Sequence, residues 1–361
     1  MLVLRERDIV SILLTLSDED LHRFHDDLSQ SFIDAATQDV PGSAAVIHMP
    51  ARTHIISSSK ITTLIMPSSD EANTAIKTVV LPPEKPSKGA ITLFSADGDL
   101  LALLNAAETT SFRTALTTMT MLSRTQWSLS AELQPSPQSG NYNLVIFGSG
   151  RQAEWHLRLA LRFCSIKSVT IVNRTRARLE KFARDVFEDL RKTHPGVSFE
   201  VISQEGRDDY ESRLHQTMST TDIIFCLTPS TKPLFPSSYL TQQNGAAKSR
   251  FISLIGSYKP HMQEVDKATL FSAADKRVIV DSAEACLEEA GELIRANADR
   301  ASLIEAGHFC MRISKDGIAP VPPGTNVVFK CVGTALMDLV VSRTLVGISR
   351  DRHKGHNIPD F

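Results

Sequence analysis

An apolar strand, Leu144-Val-Ile-Phe147, runs into the glycine turn Gly148-Ser149-Gly150 and then into a helical Arg151-Gln152-Ala153, and this stretch limits the possible fold more than any other. The first glycine permits a tight turn, the second lets a pyrophosphate approach the backbone, and Ala153 stands in for a third glycine where helix packs on sheet. A helix N-terminus there offers free N–H groups to phosphates. The motif alone is equally compatible with a strand-to-helix turn that holds no ligand; its surroundings favour a dinucleotide.

About twenty residues further on, a Rossmann fold that binds NAD usually carries an Asp or Glu on the ribose hydroxyls. Here the strand around Val169 to Val172 ends in Asn173-Arg174-Thr175-Arg176. No carboxylate repels a 2′-phosphate, and two arginines and a threonine can hold one, so the expected cofactor is NADP(H) in preference to NAD(H). Arg174, Arg176 and Arg178 read otherwise as the solvated first turn of a helix, but cations there oppose the macrodipole unless they serve an anion.

Strands are expected near 142–147, 168–172, 198–202, 222–227, 250–255 and 277–281, with helices between most of them, which predicts a doubly wound parallel sheet. A long helix should run from about Ala283 towards Ala306, stopped by Gly307. Proline-rich hinges, Gln134 to Gly140 and Ala319 to Gly324, bracket this α/β region. Before it come two helices, the second opened by Ser17-Asp-Glu-Asp20, and a meander of strands near 44–49, 61–66, 74–81, 90–95 and 99–104, with Asp97-Gly98 as a hairpin turn. A helix from Thr110 to Trp127 leads to the first hinge, and another, Asn326 to Leu345, returns after the second. The expected organisation is a Rossmann domain over 134–323 beside a discontinuous α+β substrate and dimerisation domain, 1–133 with 324–361. The edges of its sheet invite pairing with a second subunit.

With 361 residues the chain can bury two cores, and a net charge of −2 leaves no electrostatic footprint for nucleic acid or an anionic membrane. No apolar run is long enough to span a bilayer, and the first residues lack the pattern of a signal peptide, so a cytoplasmic protein is expected. The five cysteines are scattered without a Cys-x-x-Cys pair, which predicts reduced thiols and no zinc site. His22 and His25 sit among Asp26 and Asp27 on an expected solvated helix face, and the tail from Ser349 to Phe361 is expected to fray.

Three cations occupy unfavourable places. Lys77 alternates onto the same face as Val79 and Leu81, where an ammonium needs an anion. Arg113 is expected in the first turn of the helix opened by Thr109-Thr110-Ser111, at the positive end of its dipole. Arg52, in Met49-Pro-Ala-Arg-Thr53, is less constrained. Internal pairing with Glu84, Asp97 or Glu108 would account for each; jointly they suggest a clamp for the carboxylate of a small amino or imino acid.

Together these residues resemble the ornithine cyclodeaminase/mu-crystallin family. The resemblance is carried by Ala51-Arg-Thr53, Leu64-Ile-Met-Pro67 with Lys77, Gly89 to Phe94, Ser111-Phe-Arg-Thr-Ala115, Phe147 to Ala153, Asn173-Arg-Thr175, Ile255-Gly256, Val280-Asp-Ser282, and Phe329 to Gly333 with Asp338. It implies a Rossmann domain beside a dimerising substrate domain, hence a homodimer. By position it places the carboxylate clamp on Arg52, Lys77 and Arg113, and the nicotinamide cofactor on Gly148, Ser149, Gly150, Arg151, Gln152, Asn173, Arg174, Thr175, Thr228 and Gly256.

Two departures bear on the reaction. Where cyclodeaminases carry a catalytic aspartate this chain has Tyr258, and where a glutamate helps to hold ornithine it has Leu64. The region from Phe187 to Leu214 is also longer than usual for the family. Cyclodeamination needs a base to free the distal amine, whereas reduction of a preformed imine needs a carboxylate clamp, a hydride donor and a proton source. The expectation is therefore an NADPH-dependent reductase of α-imino carboxylates, cyclic ketimines such as pyrroline- or piperideine-2-carboxylate, with Lys77 or Tyr258 supplying the proton. Ornithine cyclodeaminase, with Glu264 or Asp266 reaching the site, and a non-catalytic binder of NADPH and a small ligand are the alternatives.

Overall fold

The computed structural model describes residues 1–38, 42–129, 141–206, 208–240, 248–316 and 321–359. The first proline-rich hinge lies outside these residues. The chain divides into two units, Met1–Thr117 with Gly333–Phe361, and Thr118–Val332. The divisions fall inside the Ala106–Leu122 helix and at Gly333, where sequence reading put them at 133 and 324.

The first unit is built on β1 (Leu2–Leu4), β2 (Thr53–Ile56), β3 (Thr62–Ser69), β4 (Asn73–Leu81), β5 (Lys88–Ser95) and β6 (Leu100–Asn105). With the C-terminal strand His356–Asn357 they form a seven-stranded sheet whose order is C-terminal strand, β1, β6, β5, β4, β3, β2. From β2 to β6 it is an antiparallel meander. Gly98, at φ +92°, makes the turn between β5 and β6. Alternation sends Ala75 and Lys77 of β4, Ile91 and Leu93 of β5, and Leu104 of β6 to the buried face. The apolar helix Ala335–Asp351 packs there against β3, β4 and β5. On the opposite face Ile76, Thr78, Val80, Thr92 and Leu103 are half-buried, and on the edge strand β2 Ile55 and Ile56 are exposed.

The second unit contains β7 (Tyr142–Phe147), β8 (Ile166–Asn173), β9 (Ser198–Ser203), β10 (Ile223–Cys226), β11 (Phe251–Leu254), β12 (Val278–Val280), β13 (Leu303–Glu305) and β14 (Val327–Lys330). They form an eight-stranded sheet in the order β13, β12, β14, β11, β10, β7, β8, β9, every pair parallel. From β7 the chain winds outward one way through β8 and β9, and the other way through β10 and β11. The topological switch point, where ligands bind such sheets, therefore lies at the carboxyl ends of β7 and β10.

Several local expectations are corrected. The strand expected at 44–49 is a single bridge, His48 to Ser69, and the paired edge strand is β2. The long helix from Ala283 is broken: Ala290 is extended, Asn297 is left-handed at φ +54°, and β13 follows before the Ala306–Asp316 helix. Gly291 sits at the break, where the backbone passes so close to Met262 that a Cβ would lie 2.0 Å from its carbonyl oxygen. The helix expected from Asn326 begins only at Ala335, because Val327–Lys330 is a strand buried between β11 and β12. The tail is held rather than frayed: the last helix runs to Asp351, and His356 and Asn357 pair with Val3 and Leu2. The Phe187 to Leu214 region supplies the helix Glu188–Thr193, β9 and the start of the helix Tyr210–Thr220.

Candidate active site

In the first unit, Lys77 from β4 and Arg113 from the Ala106–Leu122 helix converge on Asp338 in the first turn of the Ala335–Asp351 helix. The Lys77 ammonium donates to both carboxylate oxygens, at 3.1 and 3.2 Å, and Arg113 Nε donates to Oδ1 at 3.2 Å. All three side chains are buried. The anion that Lys77 and Arg113 share is thus Asp338, which was not among the expected Glu84, Asp97 and Glu108. Arg113 also lies two turns into its helix rather than in the first, because the helix starts at Ala106, where Asn105 Oδ1 accepts the Ala107 N–H.

Gly333 organises both arginines. Its carbonyl accepts from Arg52 Nη2 at 2.8 Å, and a Cβ at its φ of +93° would lie 2.8 Å from Arg113 Nη1. Arg52 thereby joins the cluster through Gly333, beside the Asp338 carboxylate that Lys77 and Arg113 share. Burial pushes Lys77 down to about 8; Asp338 opposes that shift, while Arg113 and Arg52 add to it. An ammonium so placed can give up a proton near neutral pH, and an ammonium beside two guanidinium groups suits a small carboxylate.

In the second unit, the end of β7 opens on a cleft of about 650 Å³, a size typical of small-ligand sites. Gly148, Ser149, Gly150, Arg151, Asn173 and Thr228 line it, together with Arg178 and Lys181. Gly148 has a φ of +127°, and a Cβ there would lie 3.1 Å from the Leu227 carbonyl. Gly150 begins the Arg151–Phe163 helix with no side-chain cap, and nothing stands within 4 Å of where its Cβ would be. An uncapped helix start facing open space is what an incoming pyrophosphate requires. The residues fit a dinucleotide.

Asn173 Nδ2 donates to Ser149 Oγ at 2.8 Å, and its Oδ1 accepts the Thr175 N–H at 3.0 Å, so the end of β8 is tied to the glycine turn. Arg176 is engaged with Glu180, and its N–H with the Glu205 carboxylate. Arg174 and Arg178 make no ion pair among the described residues. The Gln152 carbonyl accepts from His156 Nδ1 at 2.8 Å, which leaves Nε2 to accept from Thr118 Oγ1 at 3.0 Å. Burial pushes this imidazole down to about 4, so it is neutral at pH 7.

The chain leaving β10 and β11 is bound by Glu264, whose carboxylate accepts from the N–H groups of Thr228, Gly256 and Ser257. Burial pushes this carboxyl up to about 8 against the pull of Lys330. Asp266 caps the short helix Lys267–Leu270 and accepts the Ser237 N–H. Tyr258 is exposed, with the Lys259 ammonium 5.8 Å from its ring centroid.

A model of the ornithine cyclodeaminase/mu-crystallin family matches residues 11–351. The chain belongs to that family. A Delta(1)-pyrroline-2-carboxylate reductase of Bacillus cereus is 28% identical over 323 residues, 86% of this chain and 88% of that protein. The ketimine reductase mu-crystallin of Mus musculus is 27% identical over 257 residues, 71% and 68% of the two chains. Among solved structures, Thermococcus litoralis Delta(1)-pyrroline-2-carboxylate reductase, in complex with NADH and L-proline, superposes with a TM-score of 0.73 at 19% identity, covering 99% of this chain and 100% of the other. The fold is shared with this family member from end to end.

Arg52, Lys77 and Arg113 were legible in the sequence, but their contacts were not. Asp338 was visible as the one acid in the apolar run Ala335 to Val341, and Gly333 as the glycine shortly before it. Lys330 and Glu292, buried and 3.0 Å apart, were missed; a lysine closing the run Val327-Val-Phe-Lys330 was their signal.

Proposed function

We propose that this protein is a reductase of cyclic α-imino carboxylates such as pyrroline- or piperideine-2-carboxylate, that it prefers NADPH to NADH, and that it works as a homodimer. The observation that carries this reading is the convergence of Lys77 and Arg113 on the buried Asp338 carboxylate, with Arg52 joined to them through the Gly333 carbonyl. A substrate carboxylate would be held by these cations, with the guanidinium groups of Arg52 and Arg113 giving directional contacts. When bound, the reduced nicotinamide supplies a hydride to the imine carbon. Lys77, near pKa 8, gives a proton to the imine nitrogen, which carries the new electron pair. Tyr258, exposed and beside Lys259, is the second candidate donor.

The names of the relatives agree with imine reduction, and the two spare carboxylates argue against the cyclodeaminase reading. Glu264 is fully engaged by three backbone N–H groups, and Asp266 caps a helix, so neither is available as a base. The NADPH preference rests on the absence of an acid at the end of β8 and on the unpaired cations Arg174 and Arg178. The homodimer rests on the exposed edge strand β2 and the half-buried outer face of its sheet.

The test is NADPH and NADH oxidation with pyrroline-2-carboxylate, piperideine-2-carboxylate, and pyruvate plus ammonia, beside an assay of ammonia release from ornithine. Imine-dependent NADPH consumption without ammonia release is expected. Ammonia release from ornithine with a silent imine panel would overturn the reading.

A further inference from the structure

Glu264 lies wholly within the second unit and takes no part in the chemistry above, yet it is among the most fully engaged side chains of the unit. The strands β10 and β11 are neighbours, and beyond their carboxyl ends the N–H groups of Thr228, Gly256 and Ser257 have left the ladder. One buried carboxylate collects all three. Oε1 accepts from Thr228 at 2.9 Å, and Oε2 accepts from Gly256 at 2.7 Å and from Ser257 at 3.2 Å. The two segments are pressed together as well as tied, since a Cβ on Gly256 would lie 2.3 Å from the Thr228 carbonyl oxygen. From the far side Lys330 of β14 donates to the Ser257 carbonyl and pairs with Glu292 at 3.0 Å.

In a doubly wound sheet a dinucleotide straddles the switch point: the pyrophosphate sits at the first strand, the adenosine over the second, and the other nucleotide over the strands on the opposite side. Here those opposite strands are β10 and β11. We propose that Glu264 is a positioning residue for the nicotinamide half of the cofactor, holding the Thr228 and Gly256-Ser257 segments as one rigid floor. The proposal rests on the reading that this unit binds a nicotinamide dinucleotide, and it extends that reading to a residue that does not touch the cofactor.

The experiment measures binding of NADPH and NADH, and of their truncated forms 2′,5′-ADP and ADP, by calorimetry to wild type, Glu264→Gln and Glu264→Asp. The truncated forms keep the adenosine end and lack nicotinamide. Glu264→Gln puts an amide NH2 donor where a carboxyl oxygen accepts an N–H, and is expected to weaken the complete coenzyme by about tenfold while leaving the truncated form unchanged. Glu264→Asp keeps the carboxyl one methylene short and should give the same split to a smaller degree; it decides the matter if the Gln variant does not fold. Parallel loss of both ligands, or loss of neither, would overturn the positioning role. Wild-type protein that binds no dinucleotide would overturn the cofactor reading itself, a distinct result.

Discussion

Replacing Asp338 with Asn removes the only carboxylate shared by Lys77 and Arg113, and the two cations respond differently. Arg113 cannot shed its proton, so it bears the whole cost of an unpaired buried charge, about 3–5 kcal/mol. Lys77 can. Its depression from 10.5 to about 8 already disfavours the buried ammonium by about 3 kcal/mol. Without Asp338 its affinity for a proton falls further, and in the variant it stays neutral at pH values where the wild type is charged. The native wild type then holds a proton that the native variant lacks, while the unfolded chains are alike. Stability of the variant relative to wild type must therefore rise with pH up to about 8. Read downward, the deficit widens by about 1.4 kcal/mol for each pH unit below 8, or roughly 3–6 °C in midpoint for units of this size. Above 8 both lysines are neutral and the deficit is set by Arg113 alone. Thermal melts of both proteins from pH 6 to pH 9 measure it, and added acetate should raise the variant's midpoint more than the wild type's. A deficit constant from pH 6 to 8, or one that grows towards pH 9, would refute the assignment of Lys77 as a depressed, Asp338-stabilised ammonium.

In wild type, imine reduction should decline through one ionisation near pH 8, because Lys77 must be protonated to donate; a steady-state pH profile checks this, and Lys77→Met should remove activity at every pH. Arg113→Met should abolish binding of pyrrole-2-carboxylate, a planar carboxylate analogue, while NADPH affinity stays near wild type; equal loss of both would mean the clamp is misplaced. Gly333→Ala puts a methyl 2.8 Å from Arg113 Nη1 at a left-handed backbone position and should raise the imine KM with a stability loss of about 1–2 kcal/mol. Arg174→Ala should raise the KM for NADPH by about tenfold and leave that for NADH little changed, as expected of a cation serving a 2′-phosphate.

The parallel sheet was legible because buried strands advertise themselves as short apolar runs: Leu144 to Phe147, Ile223 to Leu227 and Phe251 to Ile255 each follow a polar residue and end at a glycine or threonine. The same logic failed at Val327–Lys330, which a helical reading swallowed because only Cys331-Val-Gly-Thr334 separates it from the helix at Ala335. Gly291 and Asn297 broke the long helix for reasons that no local pattern carries: one is a backbone contact with Met262, the other a left-handed residue. At the clamp, alternation was enough to bury Lys77, since the period of a strand fixes the face. That Lys77 pairs with Asp338 was not legible, because the two lie 261 residues apart and meet only through the tertiary fold.

The register of the first sheet also bears on what the clamp can do. Met66 pairs with Lys77, and Leu64 with Val79, so Leu64 shares the face of the ammonium one pleat along the strand. That is the position where the family resemblance puts the glutamate that helps cyclodeaminases hold ornithine. A half-buried leucine offers nothing to the distal amine of a diamino acid, but it packs well on the methylenes of a cyclic imine. The charge at the clamp leads the same way. Beside Lys77, Arg113 and Arg52 a monocarboxylate is favoured, while a second ammonium from the substrate would add to the repulsion unless an acid met it. Asp338 is already shared by Lys77 and Arg113. A substrate whose nitrogen is already closed into a ring avoids that cost.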